Sequence, residues 1–181
     1  LSEISPNIKV NVIPYLDVNL MGVRYSTSNS LGEESTNALN MGFGVSYSLP
    51  IIVALLSARE GDILVLENPE AHLHPELQQK MARLIINMMN LGIPVWITTH
   101  SDTILQHINN MMKLKNHVRS NELQQEYGYK KEDLLSREDI QMYQFVTENS
   151  GKTRLIPLEA TKYGFVVPTF NNALEKIVEE V

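Results

Sequence analysis

The run Ile63-Leu64-Val65-Leu66-Glu67-Asn68-Pro69-Glu70-Ala71-His72-Leu73-His74-Pro75 constrains this chain more than any other stretch. Four apolar residues lead into a carboxylate, then a proline turn, then a loop with two histidines. Such a run reads as a buried strand that delivers Glu67 to its own C-terminal tip. A second apolar run, Pro94-Val95-Trp96-Ile97-Thr98-Thr99, ends at His100. Adjacent strands ending in a carboxylate and a histidine predict a nucleotide-phosphate site at the edge of a parallel sheet.

The segments around these two runs set the organisation. Lys9-Val10-Asn11-Val12-Ile13 and Val18-Asn19-Leu20-Met21-Gly22-Val23-Arg24-Tyr25 alternate in polarity, which predicts antiparallel strands over 8–28. Residues 26–40 are polar and punctuated and read as a surface loop. Met41-Gly42-Phe43-Gly44 opens an apolar helix from about Ser46 to Ala58, with Pro50 in its first turn. Residues 62–67 are the first strand. Leu77, Met81, Leu84, Ile85 and Met88 fall at helical spacing over 76–90 and form a core stripe. Gly92 ends that helix and Pro94 enters the next strand, so strand, helix and strand make a parallel crossover. Ser101 is the expected N-cap of a helix over 102–114. Residues 115–139 are charged, polar and helical in part. Residues 141–148 and 153–158 read as a hairpin turning at Asn149-Ser150-Gly151. Thr169 is the expected cap of a last helix with Ala173, Leu174, Ile177, Val178 and Val181 on one face.

Composition narrows the class. A net charge of -6 over 181 residues argues against a uniformly basic domain that coats nucleic acid, though not against a local basic patch. The absence of cysteine excludes disulfides and thiolate metal sites and fits the cytoplasm. Residues 1–10 hold Glu3, Pro6, Asn7 and Lys9 and have no signal-peptide core. The longest apolar-rich run, Leu49 to Ala58, is too short to span a bilayer, so no membrane partner is expected.

Several residues carry chemistry. A carboxylate at the tip of a buried strand typically orders Mg²⁺ near phosphates, which makes Glu67 the metal candidate; a turn or capping carboxylate is the plain alternative. Gly42 and Gly44 precede a helix whose first N–H groups can face an anion, and Ser46 offers a hydroxyl beside them. A flexible entry turn to a core helix is the other reading. His72 and His74 alternate, and with Glu67, Glu70 or Glu76 they form a possible metal set for a hydrolase. They also fit surface histidines in a tight turn before Pro75. His107 reads as a helix-face histidine and His117 as a loop histidine. Lys113, Lys115 and Arg119 read as a solvated basic face.

With these motifs in order, residues 66–75 resemble the Walker B strand and D-loop of ABC-type ATPases, and more closely the AAA-family ATPases of the OLD and RecF type. Met41-Gly42-Phe43-Gly44-Val45-Ser46 occupies the place of the signature motif. Ile97-Thr98-Thr99-His100-Ser101 is similar to the switch, or H-loop, histidine with its following helix. Val167-Pro168-Thr169-Phe170-Asn171 resembles the tail of such proteins. The motif-bearing part covers about residues 41–108. The resemblance implies an α/β, P-loop NTPase-like fold: the C-terminal lobe of an ABC-type ATPase head, mostly parallel sheet flanked by helices, plus antiparallel strands. It makes residues 1–181 a single partial domain, with the hairpin and C-terminal helix of 140–181 appended.

The resemblance also implies roles. Glu67 stands at the Walker B position, as the Mg²⁺-side carboxylate. Asn68 stands where many ABC ATPases have a catalytic glutamate. An asparagine cannot serve as general base but can align water by hydrogen bonds, with Glu70 sharing the task. His100 contacts and senses the γ-phosphate. Gly42, Gly44 and Ser46 face ATP held by the opposite subunit, and His72 and His74 report across a dimer interface. ATP and Mg²⁺ are the implied cofactors. A head-to-head homodimer and a DNA or effector partner are implied too, in a DNA-repair or phage-defence setting. No Gly-x-x-x-x-Gly-Lys-Ser/Thr occurs in the chain. The expected reading is therefore a fragment whose N-terminal lobe, with the Walker A loop, lies upstream or on another chain. Two alternatives stand beside it: an ATP-gated switch with little hydrolysis, and the histidine-carboxylate hydrolase.

Overall fold

The computed structural model describes residues 8–29, 32–37, 42–117, 126, 128–161 and 164–167. The chain divides into two compact units, Leu1–His100 and Ser101–Val181.

In the first unit, β1 (Ile8–Tyr15), β2 (Leu20–Asn29) and β3 (Gly32–Asn37) form an antiparallel sheet in that order. A short turn at Leu16–Val18 reverses the chain through Asn19, which takes a left-handed φ of 50°. The antiparallel expectation for 8–28 holds. The expected loop over 26–40 does not hold at 26–29 and 32–37, where β2 continues to Asn29 and β3 fills Gly32–Asn37; its remaining residues lie outside the described ones. Ladder pairing, from Arg24 opposite Asn37 to Asn29 opposite Gly32, satisfies backbone groups whatever the polarity of the side chains.

The chain then enters α1 (Phe43–Ser57), β4 (Leu64–Glu67), α2 (Pro75–Asn90) and β5 (Val95–Thr98). Helix α1 starts three residues before the expected Ser46, with Gly42 as its N-cap. Pro50 therefore sits in the helix interior, not in the first turn. Its ring lacks the N–H that would bond the Ser46 carbonyl. Strands β4 and β5 pair in parallel, Leu64 opposite Val95 and Glu67 opposite Thr98, with α2 as the crossover. One buried cluster joins Ile52 and Leu55 of α1, Leu66 of β4, Leu73, and Met81 and Ile85 of α2. Leu77, Leu84, Met88, Val95 and Ile97 pack against it, so the predicted stripe of α2 is core.

Two expectations are corrected here. Strand β4 is buried on one face only: Val65 is 73% and the neighbouring Trp96 70% exposed. Successive side chains of a strand point to opposite faces, and α1 and α2 both cover the face of Leu64 and Leu66. The sheet is also not mostly parallel: of the five strand pairings among the described residues, only β4–β5 is parallel. Antiparallel partners need only a tight turn between them, whereas each parallel pair needs a crossover helix.

In the second unit, α3 (Asp102–His117) is capped as expected, Ile104 N–H donating to Ser101 Oγ at 3.1 Å. It runs to His117, so that histidine ends a helix instead of lying in a loop. Strands β6 (Met142–Thr147) and β7 (Thr153–Leu158) form the expected hairpin, closed by Glu148 N–H on Lys152 O at 2.8 Å. A small ladder of β8 (Ala160–Thr161) and β9 (Gly164–Phe165) packs on α3. There the Asn109 side chain donates to Phe165 O and accepts from Phe165 N–H, both at 2.8 Å. His107 is buried beside the ring of Tyr129, centroids 5.9 Å apart, and Lys115 bonds Ser136 Oγ at the surface. Arg119 and the expected C-terminal helix lie outside the described residues. Among the described residues no helix is long and apolar enough to cross a membrane.

Pro50 is exposed, so removing its ring costs little packing. Pro50→Ala is expected to stabilise the chain by about 1–3 kcal/mol, because an interior N–H and its helical bond are restored. Urea unfolding measures it; a loss of stability would show that the fixed φ of proline is what seats α1.

Candidate functional site

The site grows from the strand tips. Parallel pairing sends β4 and β5 out at the same end, so Glu67 and His100 emerge together at the C-terminal edge, where sheets of this kind place ligands. Both side chains are exposed. The ladder continues one residue past Glu67: Asn68 N–H donates to Thr98 O at 2.9 Å. Asn68 then turns the chain with φ at 45°, a left-handed conformation that asparagine tolerates better than most residues.

Pro69 follows inside the turn, closed by Ala71 N–H on Asn68 O at 2.9 Å. A second turn overlaps it, Leu73 N–H on Glu70 O at 3.0 Å, with His72 between at φ 61°. His74 is the N-cap of α2: its carbonyl accepts from Leu77 and Gln78, and its Nδ1 accepts from Glu76 N–H at 3.5 Å. Pro75 takes the first helical position, where its missing N–H has no cost. Gln78 Nε2 donates back to Leu73 O at 2.9 Å. The loop 68–74 is thus fixed by its own backbone and by the helix that follows.

Glu70 is buried at 8% exposure, and its Oε1 accepts from Thr99 Oγ1 at 2.7 Å and from His100 N–H at 3.0 Å. Its Oε2 and the Oδ1 of Asn68 are buried without a hydrogen-bond donor among the described residues. A bound group that brings donors, such as metal-held water, fits those two acceptors. Mg²⁺ keeps several waters and needs only one or two protein carboxylates, so a single exposed Glu67 also fits it.

Helix α1 meets this loop at His72. The Phe43 and Tyr47 rings, one helical turn apart, stand 5.4 and 5.6 Å from the His72 ring. A Cβ on Gly44 would lie 3.0 Å from His72 O, so Gly44 serves close approach. Gly42, by contrast, has open space around it, and Ser46 is the fourth residue of the helix. The two histidines do separate jobs, His72 against α1 and His74 on α2. Among the described residues no three His, Asp or Glu side chains gather to hold a metal ion, so the histidine-carboxylate hydrolase finds no ligand set. Sequence reasoning missed Thr99, Phe43 and Tyr47. The i, i+4 aromatic spacing was the available signal for the last two.

A family of AAA ATPase domains matches residues 2–105, more than half of the chain, and the chain belongs to that family. All the candidate residues named above lie inside the match. No curated protein matches the chain. A solved chain from a study of the structural biochemistry of ATP-driven dimerization and DNA-stimulated activation of SMC ATPases is similar, with a TM-score of 0.56 at 11% identity. The superposition covers 97% of this chain and 84% of that one. The likeness is one of fold, a P-loop NTPase-like α/β domain. The chain is thus an AAA ATPase domain, a family whose general chemistry is ATP binding and hydrolysis.

Gly44→Ala tests the approach of α1 to the loop. In an open helix the change would add about 1 kcal/mol of stability. Here the new methyl meets a backbone oxygen at 3.0 Å, so the expected outcome in thermal melts is no gain or a net loss. A gain near the full helical value would show that the loop moves aside freely.

Proposed function

We propose that this chain supplies the late motifs of an ATPase head of the OLD and RecF type, and that the intact protein binds and hydrolyses ATP between two such heads. The observation that carries the reading is the shared C-terminal edge of β4 and β5, with Glu67 on one tip and His100 just beyond the other. Glu67 would hold Mg²⁺, which neutralises phosphate charge when bound. His100 would sense the terminal phosphate. Asn68 offers a carboxamide that can orient water but takes no proton from it. Gly42, Gly44 and Ser46 at the start of α1, with His72 and His74, would face nucleotide held by the opposite head. The phosphate cradle comes from a segment carrying a Walker A loop, upstream or on another chain, since these residues contain none.

The SMC likeness supports a dimer and a DNA partner as the working expectation; a repair or defence role and a cytoplasmic location belong to the same proposal. A damped switch is the second reading, and Asn68 at the water-activating position favours it.

ATP turnover by the full-length gene product is the test. Glu67→Gln is expected to lower kcat by at least ~100-fold, as loss of a metal-side carboxylate does for a charge-stabilised transition state. Undiminished turnover would remove Glu67 from the site. Asn68→Glu is expected to raise turnover if the wild type is damped, at about 1 kcal/mol of folding stability, because glutamate accepts the left-handed φ less well. Unchanged turnover in that variant would count against the switch.

A further inference from the structure

We propose that Glu70 is a positioning residue whose carboxylate ties the strand end carrying His100 to the loop carrying His72, so that nucleotide at His100 moves both together. The inference rests on the ATP reading above and deepens it, naming how occupancy of the site reaches the face that meets another head.

Sequence alone offers Glu70 as a helper to Asn68 in activating water. Its surroundings suit another task. The side chain is 8% exposed, and one oxygen already takes two donors from residues 29 and 30 positions away. With Oε1 engaged by both donors, the carboxylate fixes the backbone of its partners, while Oε2 stays open to a bound group.

The partners sit where such fixing matters. The β4–β5 ladder ends at Thr98, whose carbonyl takes its last bond from Asn68. Just beyond that point the Thr99 hydroxyl and the His100 N–H both donate to Glu70. On the other side, the Glu70 carbonyl closes the turn that holds His72 in its left-handed conformation. His72 in turn lies against Phe43 and Tyr47 of α1. A continuous set of contacts therefore runs from His100 through Glu70 and His72 to the helix beginning at Gly42. Glu70 is the buried link in that set, with His72, Phe43 and His100 exposed around it, and it is through Glu70 that a displacement at His100 is carried to the loop.

Amide hydrogen exchange on the full-length gene product, with and without Mg²⁺-ATP, tests this in wild type, Glu70→Ala and Glu70→Gln. In the wild type, nucleotide is expected to slow exchange at residues 98–101 and at 70–75. Glu70→Ala should still melt cooperatively and still bind ATP, but its response at 70–75 should fall by at least ~5-fold, the low end of ordinary coupling between sites. Glu70→Gln presents the same acceptor oxygen and should restore most of the response. Two results overturn the proposal: a full response at 70–75 in Glu70→Ala, or a Glu70→Gln that behaves like the alanine variant. If Glu70→Ala does not fold, Thr99→Val removes one of the two bonds and should weaken the response part-way; an unchanged response there overturns the proposal as well. A wild type silent at both segments would sink the ATP reading and this inference with it. Response at 98–101 with 70–75 indifferent to Glu70 would sink the inference alone.

Discussion

The parallel pairing of two four-residue strands organises the first unit. Parallel neighbours cannot be joined by a hairpin, so the chain must leave β4, cross over and return. That return is α2, and its apolar stripe supplies much of the buried cluster. The same geometry sends both strands out at one edge. Glu67, the turn at Asn68, and the Thr99–His100 end are therefore neighbours because of backbone topology, before any side chain makes a contact.

Around that edge, conformation is held by a small number of unusual residues. Asn68 and His72 both take left-handed φ values, and Pro69 and Pro75 remove N–H groups at positions where none is needed. The loop between them is short and closed on itself by consecutive turns. This is a rigid way to present two histidines, and it explains why they diverge: one lies on α1 while the other begins α2.

Much of this was legible in the sequence. The crossover, the α2 stripe, the Ser101 cap and the β6–β7 hairpin follow from periodicity and turn chemistry that act within a few residues. What was not legible depended on partners far along the chain. Polar residues 26–29 and 32–37, inside the expected loop of 26–40, read as loop because their strand pairing is set by backbone bonds, not by side-chain pattern. Val65 read as part of a buried strand because an apolar run cannot show which face is covered. The start of α1 was misjudged because Gly42 and Gly44 look like a flexible entry, whereas Gly44 is a helical residue whose lack of a side chain admits the His72 carbonyl. The bonds from Thr99 and His100 to Glu70 span about thirty residues and leave no local trace.

The exposed face of β5 has a practical side. Trp96 is the single tryptophan of the chain, and it stands in water two residues ahead of the last ladder bond at Thr98. Indole emission shifts with the polarity around the ring. The strand that ends toward His100 thus carries its own optical label, and the wavelength of that one fluorophore records the surroundings of the strand without any dye attached.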